Sequence, residues 1–147
     1  MSASKAPNEK REAVVKIEQR TTSEIKFHSD LAPGQRYIAF DSSLHESAPV
    51  YVAVRKVDEL VDFSREYVEP HVHDVDSLYL FIGVGRDLAG LRAIVTVEDR
   101  DYAIEAPTTV FIPAGLKHYY RLTSGSGLFL SMVLSGDYNS STRAPAE

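Results

Sequence analysis

The chain of 147 residues contains no cysteine and no tryptophan. Without cysteine there is no disulfide, no thiolate nucleophile and no Cys-based zinc or iron–sulfur site. Any transition metal must then be held by His, Asp, Glu, Tyr, solvent or substrate. Long apolar runs are missing too. None reaches the roughly 18 residues that suggest a membrane span, so no membrane partner is expected. Positive charge is scarce: 16 Lys and Arg stand against 21 Asp and Glu, for a net charge of −5. No basic cluster exceeds Lys10-Arg11 or Arg55-Lys56. This argues against nucleic-acid binding through a basic face. Residues 1–11 are polar, with no apolar segment of the secretory kind, so a cytoplasmic location is expected. Gly83-Val-Gly85-Arg86 has neither a dinucleotide-binding pattern nor a phosphate-loop lysine, and no organic cofactor is expected.

What is present is a series of short strand-like runs. Val50 to Val57 is rich in β-branched and aromatic residues. Arg36–Phe40, Leu78–Ile82, Leu91–Val97, Tyr102–Glu105 and Thr109–Ile112 read the same way. Tyr119–Leu122 and Leu128–Leu134 follow, parted by the turn-like Ser124-Gly-Ser-Gly127. Ala13 to Lys26 reads as an edge strand. Many short strands with Gly and Pro turns and almost no helix predict an all-β, antiparallel sandwich or barrel. Residues 1–11 are expected to be a flexible tail, 12–137 one domain, and 138–147 a polar, flexible tail. Leu78–Ile82 is apolar on both faces. Covering its second face implies a homodimer.

The histidines carry the chemistry. His71 and His73 stand two apart, so on an extended strand both leave from one face. His118 follows the turn Pro113-Ala114-Gly115 and precedes another strand-like run. Converging inside a barrel, three imidazoles make a metal site with open positions for water and substrate. His28, beside Phe27 and Ser29, is expected at the surface or an edge.

Residues 70–134 resemble the cupin superfamily, small jelly-roll β-barrels with two motifs. The first runs Gly, five residues, His-x-His, three or four residues, Glu, six residues, Gly; His71, His73 and Gly83 or Gly85 match it. The second runs Gly, five residues, Pro-x-Gly, two residues, His, three residues, Asn; Pro113, Gly115 and His118 match its centre. Arg65, Pro107 and Leu122 replace the first Gly of each motif and the final Asn. The larger departure is the missing Glu, since Ser77 and Leu78 occupy its two allowed positions.

The resemblance implies an antiparallel jelly-roll β-barrel. It also implies one divalent ion per chain on His71, His73 and His118, zinc preferred, then Fe(II), with Mn, Ni or Cu alternatives. Asp76 is a further candidate ligand if a bulge turns it inward. Glu69, Tyr79 and Tyr120 are the candidate proton-handling residues. Arg65, Tyr67, Ser77, Tyr51 and the loop residue His45 are candidates for contact with a small-molecule substrate. Three readings compete. The first is redox-neutral cyclase, isomerase or lyase chemistry through a metal-stabilised enolate, as in polyketide cyclase-like cupins. The second is oxygenation by a three-histidine Fe(II) dioxygenase. The third possibility is a non-catalytic binding module.

Overall fold

The computed structural model describes residues 13–146, so the expected tail at 1–11 lies outside them. Among the described residues ten strands follow one another, interrupted by three single-turn 3₁₀ segments. They are β1 (Glu18–Gln19), β2 (Gln35–Phe40), β3 (Tyr51–Leu60), β4 (Val72–His73), β5 (Ser77–Gly83), β6 (Leu91–Val97), β7 (Arg100–Glu105), β8 (Thr108–Ile112), β9 (His118–Val133) and β10 (Thr142–Arg143). No helix among the described residues is long and apolar enough to cross a membrane.

Hydrogen bonding orders the main sheet β1-β2-β3-β9-β5-β8, with β6 joined to β9 and β7 to β6; β10 and β4 form a separate pair. Every pairing between strands is antiparallel. Among the described residues no ladder closes this path, so the all-β antiparallel expectation stands while a closed barrel is not seen.

The centre of the fold is β9, which differs from the expected pair of short strands. Its first half pairs with β6 and its second half with both β3 and β5. The Ser124–Gly127 stretch reads as a turn but acts as a passage within one 16-residue strand. Gly125 sits at φ +99, and a Cβ there would lie 2.0 Å from the Gly90 carbonyl oxygen. Both the backbone angle and the close approach require glycine.

Period-two alternation places the core. In β5, Ser77, Tyr79, Phe81 and Gly83 are buried while Leu78, Leu80 and Ile82 are only partly covered. Tyr79 and Phe81 join Tyr67, Leu91, Val95, Tyr120, Leu122 and Phe129 in one apolar cluster, and Ile38, Tyr51, Ala53, Val133 and Tyr138 form a second. On the outer face, register aligns Phe40, Val52, Met132, Leu78 and Phe111 in a row across five strands. Phe111 is 57% exposed there.

The C-terminal segment corrects the expected polar tail. Tyr138 is buried, a 3₁₀ turn spans Asn139–Ser141, and β10 pairs with β4 so that Thr142 stands opposite His73. The edge-strand expectation for 13–26 shrinks to the two residues of β1.

Candidate metal centre

His71 and His73 lie on either side of Val72 at the start of β4, and His118 opens β9. A two-way backbone bridge joins the motifs: His71 N–H donates to the His118 carbonyl at 3.1 Å, and His118 N–H returns to the His71 carbonyl at 2.9 Å. The Pro113–Gly115 turn is docked on the same segment. Gly115 takes φ +90, which favours glycine, and its N–H donates to the His73 carbonyl. Asp76 Oδ1 accepts the Ala114 N–H at 2.8 Å. The carboxylate weighed as a ligand thus holds the turn that presents His118, and it is not part of the histidine cluster.

The three imidazoles are buried, with relative exposures of 0%, 3% and 1% for His71, His73 and His118. One ring nitrogen from each lies within 4.8 Å of the others. Nitrogens sharing one ion stand about 3–4 Å apart, given metal–nitrogen bonds of about 2.0–2.1 Å, so the triad is already nearly that compact.

Hydrogen bonding fixes which nitrogen is free. His71 Nδ1 meets the Glu69 carbonyl at 2.8 Å, and His118 Nδ1 meets the Leu116 carbonyl at 2.9 Å. A carbonyl only accepts, so both Nδ1 atoms carry the proton. His73 Nδ1 meets Thr142 Oγ1 at 2.9 Å, and that hydroxyl spends its own proton on the Tyr138 carbonyl. His73 Nδ1 is therefore also the donor. All three rings keep a bare Nε2, the tautomer a metal site needs.

Burial, and then the charge on neighbouring imidazoles, pushes His71 down to about 2 and His73 down to about 3; burial also lowers His118. The rings are neutral at neutral pH, with lone pairs available. His118 Nε2 and Ser77 Oγ are buried polar atoms with no hydrogen-bond partner among the described residues. An unpartnered acceptor in a dry site is costly. A divalent ion on the three Nε2 atoms removes that cost, so these residues fit the metal that the motifs imply.

Beside the triad lies a pocket lined by His28, Arg36, Tyr51, Arg55, Tyr79, Tyr120, Phe129, Ser131 and Tyr138 among others. Its open volume is about 20 Å³, room for about one water molecule. Aromatic rings fill the rest. Tyr79 packs against His118 with centroids 5.8 Å apart and against Tyr120 at 5.1 Å; Tyr120 stacks on Phe129 at 4.1 Å. Two buried guanidiniums border this space. Arg36 pairs with Glu24 and donates to the Tyr51 hydroxyl at 2.9 Å. Arg55 donates to the Pro33 carbonyl. Among the described residues no carboxylate lies within ion-pair distance of Arg55. Its charge faces Tyr120, opposing the upward shift that burial gives that phenol.

Of the candidates read from sequence, Tyr51, Tyr79 and Tyr120 line the pocket. Tyr67 is buried nearby with its hydroxyl accepting the Leu122 N–H. The side chains of Glu69 and Arg65 are exposed; Glu69 serves the site through its carbonyl. His45 stays in its loop, its ring tilted against Phe40, outside the cluster.

The sequence reading missed His28, Arg36, Arg55, Tyr138 and Thr142. His28 is not a simple surface residue. A bridge to Val68 brings it 5.4 Å from the His71 ring, and burial drops it to about 4.

No protein-family model matches the chain, and no curated protein sequence matches it. Solved structures do. Lactobacillus farciminis oxalate decarboxylase aligns over 84% of this chain and 34% of its own, at 19% identity and TM-score 0.54. A Streptomyces PAC13 variant solved with uridine aligns over 84% of this chain and 88% of its own, at 10% identity and TM-score 0.53. A cupin superfamily protein of Desulfitobacterium hafniense aligns over 73% and 84%, at 18% identity and TM-score 0.48. The chain has the cupin fold. At these identities the likeness concerns the fold. The chemistry of this chain rests on its own buried three-histidine cluster.

Proposed function

We propose that this cupin is a metal-dependent enzyme that oxygenates a small anionic organic molecule at a three-histidine iron centre. The observation that carries this reading is the ligand set: three neutral imidazoles, with no carboxylate in the cluster. Fe(II) held by His71, His73 and His118 would supply oxygen activation.

The chain's own residues support the rest. Arg55, buried and without a carboxylate partner among the described residues, is suited to hold a substrate carboxylate or other anion. Arg36, paired with Glu24, fixes the Tyr51 hydroxyl, and the Tyr51 and Tyr120 hydroxyls are available to orient substrate oxygens. The aromatic wall of Tyr79, Tyr120 and Phe129 keeps bulk water out. Ser77 Oγ offers a free hydrogen-bonding group in the buried interior.

Redox-neutral lyase or isomerase chemistry is the second reading, because neutral imidazoles hold zinc as readily as iron. Polyketide-type cyclisation is one version of it.

The test is the natively bound metal together with oxygen uptake on short keto, thiol, diketone and phenolic acids. Iron with stoichiometric oxygen consumption supports the oxygenase. Zinc-supported turnover under strict anaerobiosis replaces it with the redox-neutral reading. A metal-loaded protein that turns over none of these favours a binding module.

A further inference from the structure

The carboxylate expected in the first motif is missing, and Ser77 at its position is a neutral alcohol. A different oxygen has come to the triad from the far end of the chain. Tyr138 Oη lies 3.2 Å from His71 Nε2. Its ring packs against His73 at 5.1 Å and against Tyr51 at 4.8 Å.

We propose that the Tyr138 hydroxyl is the fourth protein donor to the metal held by His71, His73 and His118. This rests on the three-histidine reading above and adds a ligand to it.

Three observations carry the proposal. The first is distance. Two donors about 2.0–2.1 Å from one ion stand about 2.9 Å apart at a right angle and about 3.4 Å apart at a tetrahedral angle. The observed 3.2 Å falls between.

The second is the count of lone pairs. His71 Nδ1 already donates to the Glu69 carbonyl, so its Nε2 is bare and accepts from Tyr138 in the metal-free chain. An ion that takes that lone pair displaces the phenol proton from it and leaves the Tyr138 oxygen facing the ion. His28 Nε2, 3.5 Å from the same oxygen, is the remaining acceptor on the other side, because His28 Nδ1 donates to the Lys26 carbonyl.

The third is preorganisation. The Tyr138 carbonyl accepts from Ser141 and Thr142, Asn139 exchanges hydrogen bonds with Glu24 and Lys26, and Asp74 N–H donates to the Ser141 carbonyl. Donors held by packed neighbours need little ordering when the ion arrives. In ferric protein the donor is the phenolate, and its proton leaves to the buffer.

The experiment uses the full chain, stripped of metal and reloaded with iron, then oxidised. Iron content is measured beside the visible spectrum, because a phenolate bound to Fe(III) gives an intense charge-transfer band that imidazole ligands do not. The expected result is a band in the unsubstituted protein and in Tyr79→Phe, with its loss in Tyr138→Phe. Tyr138→Phe should still bind iron, with affinity lower by about tenfold or more. Iron bound without the band, or a band that survives in Tyr138→Phe, overturns the proposal and leaves the three-histidine centre standing. A chain that takes up neither iron, cobalt nor zinc overturns the three-histidine reading and the proposal with it. Should Tyr138→Phe fail to fold, the spectrum of the iron-loaded unsubstituted protein decides by itself.

Discussion

Replacing Thr142 by valine tests whether the C-terminal strand sets the chemistry of His73. The two side chains have nearly the same shape, so the change removes a hydroxyl and little else. Thr142 is 2% exposed, and its Oγ1 accepts the His73 Nδ1 proton at 2.9 Å. The Tyr138 carbonyl loses one donor but retains Ser141 Oγ at 3.2 Å, so it is not orphaned. The consequence falls on His73. Either its Nδ1–H stays buried and unpaired, costing about 1–3 kcal/mol, or the ring takes the other tautomer. The second outcome puts a proton on the nitrogen that faces the triad. Metal affinity should then fall about 10–100-fold, which is about 1.4–2.7 kcal/mol.

Thr142→Ser separates the two roles. It keeps the hydroxyl and loses one methyl, so it should cost about 1 kcal/mol of stability and leave metal affinity nearly unchanged. Competition against a chromogenic chelator reads the affinity, denaturant unfolding reads the stability, and nitrogen NMR of the metal-free protein reads the tautomer. If Thr142→Val binds metal as tightly as the unsubstituted chain, while both variants lose similar stability, Thr142 is only packing and the tautomer reasoning is wrong.

Asp76→Asn should keep most of the bound metal, because an amide oxygen can still accept the Ala114 N–H, whereas His73→Ala should lose most of it. Elemental analysis of the purified variants checks this, and full loss in Asp76→Asn would make the carboxylate a ligand. Metal-free protein should lose stability in acid. His71 and His73 titrate near 2 and 3 when folded against about 6.5 unfolded, so the unfolded chain binds the extra protons. Stability is full above about pH 6.5 and falls below it, by up to about 2 kcal/mol per imidazole at pH 5; denaturant midpoints that stay flat between pH 7.5 and 5 would contradict the buried neutral rings. The apolar outer row from Phe40 to Phe111 predicts a homodimer through this sheet face, broken by Phe111→Lys. Sedimentation at micromolar concentration reads this, and a monomeric unsubstituted chain would refute it.

Much of the sheet was legible because alternation along a half-buried strand is a local signal. Leu91–Val97 has the bounds read from sequence, and β2, β3, β5 and β8 differ from theirs by at most a few residues. The three ligands were legible for a related reason. His-x-His puts two rings on one face of a strand, and Pro-x-Gly fixes the turn before the third. The Ser124–Gly127 stretch was not, because glycine marks a turn and a close backbone crossing alike. What decides for crossing is the Gly90 carbonyl packed where a Cβ of Gly125 would stand, a contact 35 residues away in sequence. Arg36 and Arg55 were hidden for another reason. Their strands carry apolar residues on both faces, so parity does not tell which way an arginine points.

The C-terminal segment was the least legible part, and it is the part that changes the chemistry. Tyr138, Thr142 and their neighbours have the polar composition of a loose end. Nothing periodic marks them, because Thr142 is placed by one short pairing with β4 and Tyr138 by packing against Ile38, Tyr51, Ala53 and Val133. Yet that pairing does two things at the triad. Thr142 takes the Nδ1 proton of His73, and Tyr138 brings an oxygen to His71. A carboxylate on β5 would have supplied negative charge from within the same sheet. A phenol whose own carbonyl accepts from Thr142 of a two-residue strand ties metal binding to the docking of that strand. Whatever loosens β10 from β4 should then weaken the metal, and bound metal should hold β10 in place, since an ion that binds the docked state alone stabilises it by mass action.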